Sequence, residues 1–545
     1  MSFFTATVTL TPNEEKEIEM KRPPQYNPKA RSSKVRSSIS LLALTAALAS
    51  FHGGAAKADI PLFSYGDLGG AFALGTGFGT FYAPQANYGT GTVRSSETSR
   101  KLSNSSPAWA EGFLKPELKL TYHNGSVGTI FSDISAVGAA TAGQGDANYL
   151  STTYGTPARF DLEEAYVGYS TDMPFGNPGD TAILTLGRQA FTVGDSFLIG
   201  SGTVNAGQRS NYWMAPRTAF NGFGTLKLNA EPVRADIFLL QNTTNQRITR
   251  NTDQPSTTFA GINTEYFIPA GTAGADGATN YADRQFYFGG TYLNILDASS
   301  EGGNANGAFS NNYVGVGNLS ALNTYGDRKG MNVFDLHMGG NPISGPPIIA
   351  DASFYGEFVR ELNDSENRKV NATAYYVEPG YTLSSVYGKP HFAYRYAHFS
   401  GDKVSPSDGN STKHAYDPLF YASGPRDFGT WYMGEIAGQY QLFNSNEDVH
   451  MLSASIQATA QIKLMANYYR FMLDQSEATL HINNRHFSDE FDLVGEYAYS
   501  AATNFALVGA VSRSSDAAKV YYQTNYSTTP GNYTYQLEGY VTINF

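Results

Sequence analysis

Alternation of apolar and polar residues with a period of two runs through much of the chain. Reading back from the end, Phe545, Ile543, Val541, Gly539, Leu537, Tyr535 and Tyr533 share one face, while Asn544, Thr542, Tyr540, Glu538, Gln536 and Thr534 share the other. The same period places Val233, Ala235, Ile237 and Leu239 opposite Arg234, Asp236, Phe238 and Leu240. It recurs with Phe334, Leu336 and Met338; Phe392, Tyr394 and Tyr396; Ile462, Leu464, Ala466 and Tyr468; Phe491 to Tyr499; and Phe505 to Val511. Successive side chains of a strand point to opposite faces, so each stretch predicts a strand with one apolar and one polar side. Charges gather on one face in most of them. An outward apolar face, an inward polar face and aromatics at both strand ends are what a membrane-spanning β-barrel requires.

The rest of the chain agrees with that reading. No run reaches the roughly 20 apolar residues of a membrane-spanning helix, and the other structure that satisfies every backbone group in lipid is a closed barrel. Tyr 37, Phe 34 and Gly 56 with only 16% charged residues suit many strands and many turns. Cys 0 excludes disulfides, thiolate metal sites and cysteine nucleophiles. Long polar segments at Asn242–Asp283, Asp297–Lys329 and Ser400–Gly429 read as extracellular loops. Spreading the residues after 58 over strands of about ten with alternating short and long connections predicts an all-β, single transmembrane antiparallel barrel of roughly 16–18 strands with long extracellular loops. A barrel of that size encloses a water-filled channel.

Export is legible at the start. Lys29, Arg31, Lys34 and Arg36 precede the apolar run Ile39 to Phe51, and Ala56-Lys57-Ala58 has the small-x-small form of a signal-peptidase site. Residues 1–58 are therefore expected to be a signal peptide, with a possible true start at Met20, and residues 59–545 the barrel. Eight of the 37 basic and four of the 48 acidic residues lie in 1–58. The remainder carries 29 basic and 44 acidic residues, a net charge of −15. Such a balance gives no polyanion-binding surface, and nucleic acid is not an expected partner. The expected location is the bacterial outer membrane of a Gram-negative cell, with outer-membrane lipid as the surrounding partner. The aromatic last strand resembles the signal by which barrel-assembly machinery recognises its clients.

Two blocks carry a family resemblance. The first runs Glu164-Ala165-Tyr166-Val167, Leu186-Gly187-Arg188-Gln189, Gly194-Asp195, Leu198-Ile199-Gly200, then Arg217, Phe220, Asn221 and Gly222. The second runs Ser400-Gly401-Asp402, Asp408-Gly409, Tyr416-Asp417-Pro418-Leu419-Phe420, Gly429, Gly434 and Glu435-Ile436, and Ser488 to Leu493 adds a looser match. Together they resemble the alginate-export family of outer-membrane porins. Asn221 stands where the family pattern usually has Asp. The resemblance implies an 18-stranded barrel that passes a polysaccharide or small anionic sugar or carboxylate solute by passive diffusion, through an electropositive lumen.

Candidate pore-lining residues are Arg159, Arg188, Arg209, Arg217, Lys227, Arg234 and Arg395, because a guanidinium gives planar, bidentate donation to a carboxylate. Each has a plainer role as the ion-pair partner of a neighbouring acid, as Arg234 has beside Asp236. Arg188 shares the parity of Leu184 and Leu186, so a bulge or a misread register is open there. Asp236, Asp335, Asp492, Glu496 and Glu538 are also expected to face inward, which leaves the sign of ion selectivity open. No nucleotide motif and no cofactor is read here. His337 is an inward candidate, and His481 and His486 among Asn483, Asn484 and Asp489 read as a loop, too little to make an enzyme. A general porin without sugar selectivity and a barrel enzyme remain the alternatives. About 8–12 strands would favour the enzyme and 16 or more the channel.

Overall fold

A computed structural model describes residues 59–545 except 92–105, 126, 144–156, 173, 178, 204, 206–208, 244–255, 269–284, 299–327, 342–350, 365–368, 403–411, 425, 432, 477–482 and 527–528. The expected signal peptide, residues 1–58, lies outside the described residues, as does His481.

The described strands are β1 (Ile60–Tyr65), β2 (Leu68–Tyr82), β3 (Ala108–Asn124), β4 (Gly128–Gly143), β5 (Ala158–Asp172), β6 (Thr181–Arg188), β7 (Asn221–Ala230), β8 (Val233–Thr243), β9 (Ser256–Ile268) and β10 (Phe286–Ala298). They continue with β11 (Asn332–Gly340), β12 (Ala352–Asp364), β13 (Lys369–Thr382), β14 (His391–Phe399), β15 (Glu447–Gln457), β16 (Ile462–Leu473), β17 (His486–Ser500), β18 (Thr503–Ser514) and β19 (Tyr533–Asn544). From β2 onward each strand pairs antiparallel with the next, and β19 pairs back onto β2, closing an 18-stranded barrel. β1 is an extra strand, hairpinned onto the start of β2. Closure is completed by a reciprocal pair of 2.9 Å hydrogen bonds between the backbones of Leu74 and Phe545. Among the described residues the ring β2–β19 leaves no open sheet edge, as lipid demands.

The alternation read from the sequence sets the faces. In β19, Tyr533, Tyr535 and Leu537 are exposed while Thr534, Gln536, Glu538 and Tyr540 are buried. Leu507, Leu336 and Leu493 project outward with 70%, 65% and 54% of their surface free, the side that meets hydrocarbon.

Two readings need correction. Residues 242–283 are not one long loop, because 256–268 form β9. The strand hides because its outward positions mix Thr258 and Thr264 with Ile262 and Tyr266, blunting the contrast between the faces. His486 is not in a loop but opens β17, with its Nε2 3.2 Å from Asp489.

The inward face differs from a uniformly polar lining. Phe238, Leu240, Phe259, Leu293, Ile295, Val333, Val359, Tyr376 and Phe399 all point in and are buried. They are buried because two connections leave the wall and fold inside. The first inner segment, residues 189–220, links β6 to β7; the second, residues 412–446, links β14 to β15 and contains a π-helix at Gly434–Leu442. An 11-residue helix, α1 (Asp516–Tyr526), follows β18 and packs mainly against β17.

Candidate functional site: the barrel interior

The two inner segments meet. Ile199 bridges Phe420 in parallel, Gly200 N donates to Phe420 O at 2.8 Å, Ala422 N donates to Ser196 O at 3.1 Å, and Trp431 Nε1 donates to Asp195 O at 2.8 Å. Gly200 is required by this approach, since a Cβ there would lie 2.6 Å from Ser196 Cβ and 2.7 Å from Ala422 Cβ. Phe420 stacks on Phe259 of β9 at 4.3 Å between ring centroids, and Phe220 packs edge-on against both. Residues of the two sequence blocks that resemble the family thus form one junction inside the barrel.

Wall carboxylates hold these segments by accepting backbone N–H groups. Glu163 of β5 accepts from Thr218 N at 2.6 Å and Ala219 N at 2.8 Å. Glu111 of β3 accepts from Met214 N at 3.0 Å, and Glu361 of β12 from Asp417 N at 3.0 Å. Glu490 of β17 takes Ile436 N and Ala437 N, both at 2.8 Å, and Asp492 takes Glu435 N at 3.2 Å. Buried backbone amides need partners, and charge-assisted bonds are the strong ones.

Arg159, Arg188, Arg209 and Arg217 come together, although they come from β5, β6 and the first inner segment. Arg159 Nε donates to Asp161 at 2.7 Å, and Arg217 Nε lies 3.7 Å from the same carboxylate. Arg188 donates to the Glu163 carbonyl at 2.5 Å and to Asn221, and its Nη2 lies 3.5 Å from the Glu163 carboxylate. Arg188 pairs with Ala165 without a register shift, and a bulge lies on the partner strand β5: Ser135 pairs with Glu164 and Ala136 with Leu162, which leaves Glu163 unmatched on β4. Arg217 Nη1 donates to Arg209 O at 2.9 Å, and Arg209 Nη1 donates to Thr203 at 2.5 Å. Among the described residues these four arginines stand against Asp161 and Glu163. Burial pushes the Arg209 guanidinium down to about 10; Asp161 opposes that shift and the neighbouring arginines add to it, so it stays charged at neutral pH. Arg217, 1% exposed, keeps its Nε and Nη2 without a hydrogen-bond partner.

The remaining three candidates are placed elsewhere. Lys227 lies opposite Asp236 in the β7–β8 register. Arg234 is buried and paired with Asp236 at 2.9 Å, the plainer role expected of it. Arg395 does not join the arginine group. Its Nε donates to Glu378 at 2.6 Å, its Nη1 to Thr430 O at 2.6 Å, and its guanidinium lies 4.5 Å from the Trp431 ring centre. Glu378 also accepts from Arg426 at 2.8 and 3.2 Å, and Arg426 Nε donates to Asp195 at 3.0 Å. Burial disfavours the Arg426 charge, but Glu378 and Asp195 hold its pKa well above the usual value. Arg395 therefore anchors the inner segments. His337 is buried between Asp335 at 2.7 Å and Glu265 at 3.2 Å.

Sequence reasoning did not single out Asp195, Glu378, Arg426 or Trp431 as an interlock. Asp195 lay within a motif block, but Arg426 and Trp431 sit in a segment without periodicity, where alternation says nothing.

These features define a transmembrane β-barrel with two connections folded into its interior. The alginate export family model matches residues 133–519, and the chain belongs to that family. Among solved structures the chain is similar to Pseudomonas aeruginosa OccK9 (OpdG), at 10% identity over 87% of this chain and 98% of that one, with a TM-score of 0.49. Acinetobacter baumannii OccAB4 matches at 10% identity, 87% and 98% coverage and a TM-score of 0.47. The P. aeruginosa outer membrane protein OprD matches at 11% identity, 87% and 93% coverage and a TM-score of 0.42. A search of the curated proteins found no match.

Proposed function

We propose that this outer-membrane channel passes an acidic sugar, as a polymer or as small uronate-like units, by passive diffusion. The carrying observation is the group of four arginines beside Asp161 and Glu163 inside the barrel, in which Arg159 and Arg188 keep 32% and 15% of their side-chain surface accessible. Guanidinium groups select carboxylates by paired donation, and rings of charged side chains are how pores discriminate. Asn221 sharpens the preference. An aspartate there would neutralise Arg188, whereas the neutral amide accepts its hydrogen bond and leaves the positive charge in excess. Translocation needs no bound cofactor in this reading, since the solute moves down its gradient.

The test is current block in planar bilayers. Oligouronates added to one side should interrupt the current through the wild-type channel, and neutral oligosaccharides of equal length should interrupt it far less. Arg217→Gln should reduce the uronate block. Equal block by charged and neutral sugars would favour a general porin and sink the proposal.

A further inference from the structure

On the lipid-facing side of the wall, one row of paired residues departs from the apolar pattern. It runs His450 of β15, Arg470 of β16, Asp489 of β17, Arg513 of β18 and Tyr533 of β19, each opposite the next in register. Their parity is that of Leu452, Leu464, Leu493, Leu507 and Leu537, the exposed leucines of the same strands. The row lies near the strand ends that lead into long connections: Arg470 is three residues from the end of β16, and Arg513 one from the end of β18. Longer connections mark the outer side of such a barrel, so the row meets the headgroups of the outer leaflet. Asp489 is taken up by its neighbours, with Arg470 Nε at 2.9 Å, the Tyr468 hydroxyl at 2.8 Å and His486 Nε2 at 3.2 Å. Arg470 gives only its Nε to that contact, and 49% of its side chain stays accessible. Arg513 is exposed and makes no side-chain hydrogen bond or ion pair among the described residues.

Below this row the wall is hollowed. A recess of about 770 Å³ lies over Gly495, Gly509 and Gly539, between Leu464, Leu507 and Leu537. Another of about 650 Å³ lies over Ala454 and Ala466, between Phe392, Leu452 and Phe491. Tyr394 ties the second recess to the row, since it lines the hollow while its hydroxyl meets His450 Nδ1 at 2.7 Å. Cations at a membrane surface and small residues on a strand are each ordinary alone; stacked on one face they have the form of a headgroup site above acyl-chain sites. We propose that this face binds a phosphorylated, many-chained glycolipid of the outer leaflet, the class to which the lipid A part of lipopolysaccharide belongs. Its phosphate lies between Arg470 and Arg513 and its chains lie in the two recesses. The two arginines are one strand apart, with backbones about 10 Å from each other, a gap that two long side chains close around one phosphate. Guanidinium groups match phosphate oxygens by paired donation. Hollows on both flanks of β16 suit chains spread over several strands better than the two chains of a phospholipid. The site is outside the wall, so it does not depend on what the interior passes.

The experiment uses the full barrel purified in detergent and freed of bound lipid. Native mass spectrometry follows its titration with bisphosphorylated lipid A, with dephosphorylated lipid A and phosphatidylglycerol as the comparison ligands. Arg470→Gln with Arg513→Gln removes the headgroup contacts. Gly509→Phe fills one recess, at a position where a Cβ meets only Leu537 at 3.7 Å. Arg360→Gln is the control, an outward arginine of β12 opposite Phe334 whose guanidinium already donates to Thr373. Circular dichroism confirms that each barrel is folded. Bisphosphorylated lipid A should bind the wild type in preference to both comparison lipids, and about tenfold or more weakly to the double arginine variant. Gly509→Phe should show a smaller loss and Arg360→Gln none. Four results would overturn the proposal. The double variant could bind as tightly as wild type, or Arg360→Gln could lose as much, which would make the effect one of rim charge in general. Phosphatidylglycerol could bind as tightly as lipid A, so that any anionic lipid covers the face. A lipid-free dimer abolished by Gly509→Phe would assign the recesses to a second copy of the chain.

Discussion

The arginine-bearing wall of β5 and β6 and the acid-bearing wall of β17 to β19 are built alike and charged oppositely. On each, wall carboxylates accept backbone amides from an inner segment: Glu163 takes Thr218 and Ala219, and Glu490 takes Ile436 and Ala437. What differs is the remainder. Around Glu163 four arginines outnumber two acids, whereas around Glu490 three further acids, Glu435, Asp492 and Glu538, stand without an ion-pair partner among the described residues. Net charge therefore says little about the sign of the passage. Residues 59–545 carry −15, yet many inward acids are taken up by amides and by anchored arginines such as Arg395 and Arg426. On the proposed reading, selectivity belongs to whichever charge is left over along the route.

The largest way to break this contrast is to invert the charge that the first inner segment adds to the arginine wall. Arg209→Glu with Arg217→Glu should turn anion preference into cation preference, a change of about tenfold or more in permeability ratio, or about 1.4 kcal/mol. Bilayer reversal potentials check it, with circular dichroism to confirm the barrel. Next in size is the loss of an anchor. Glu490→Ala strands two buried amides, at a cost of about 1–3 kcal/mol each. It should leave the wall intact and make the 412–446 segment sensitive to limited proteolysis; uncut protein under matched conditions would contradict the anchoring role.

A smaller effect is expected at the junction of the two segments. In Gly200→Val the side chain meets Ser196 and Ala422, at a cost of about 1–3 kcal/mol of overpacking. Single-channel records should show a noisier and larger mean conductance, while an unchanged trace would mean the junction does not set the constriction. The smallest change sharpens the comparison without breaking it. Asn221→Asp adds one carboxylate beside Arg188, and should lower anion preference by roughly twofold, within the usual range of a partly exposed pair.

The wall was legible because lipid on one side and an interior on the other impose a period of two, and β19 shows it over its whole length. β9 was missed where threonines stand on the lipid side and weaken that signal. The arginine group was legible residue by residue but not as a group. Arg209 and Arg217 belong to a segment with no repeating pattern, and their meeting with Arg159 depends on how 189–220 folds inward. The family blocks marked the right stretch without telling what it does. Phe220, Ile199 and Phe420 read as motif letters, and the structure makes them the contact between two inner segments. Arg395 shows the opposite limit. Its inward face followed from parity, but its engagement by Glu378, Thr430 and Trp431 came from partners distant in the sequence.

The central claim is that the arginine group, and not the overall acidity, sets what passes. Its most direct test is the reversal potential of the wild-type channel in a salt gradient across a planar bilayer. A potential of the sign given by faster chloride than potassium movement is the expected result, and it should shrink in Arg217→Gln. Cation preference in the wild-type channel would contradict the account.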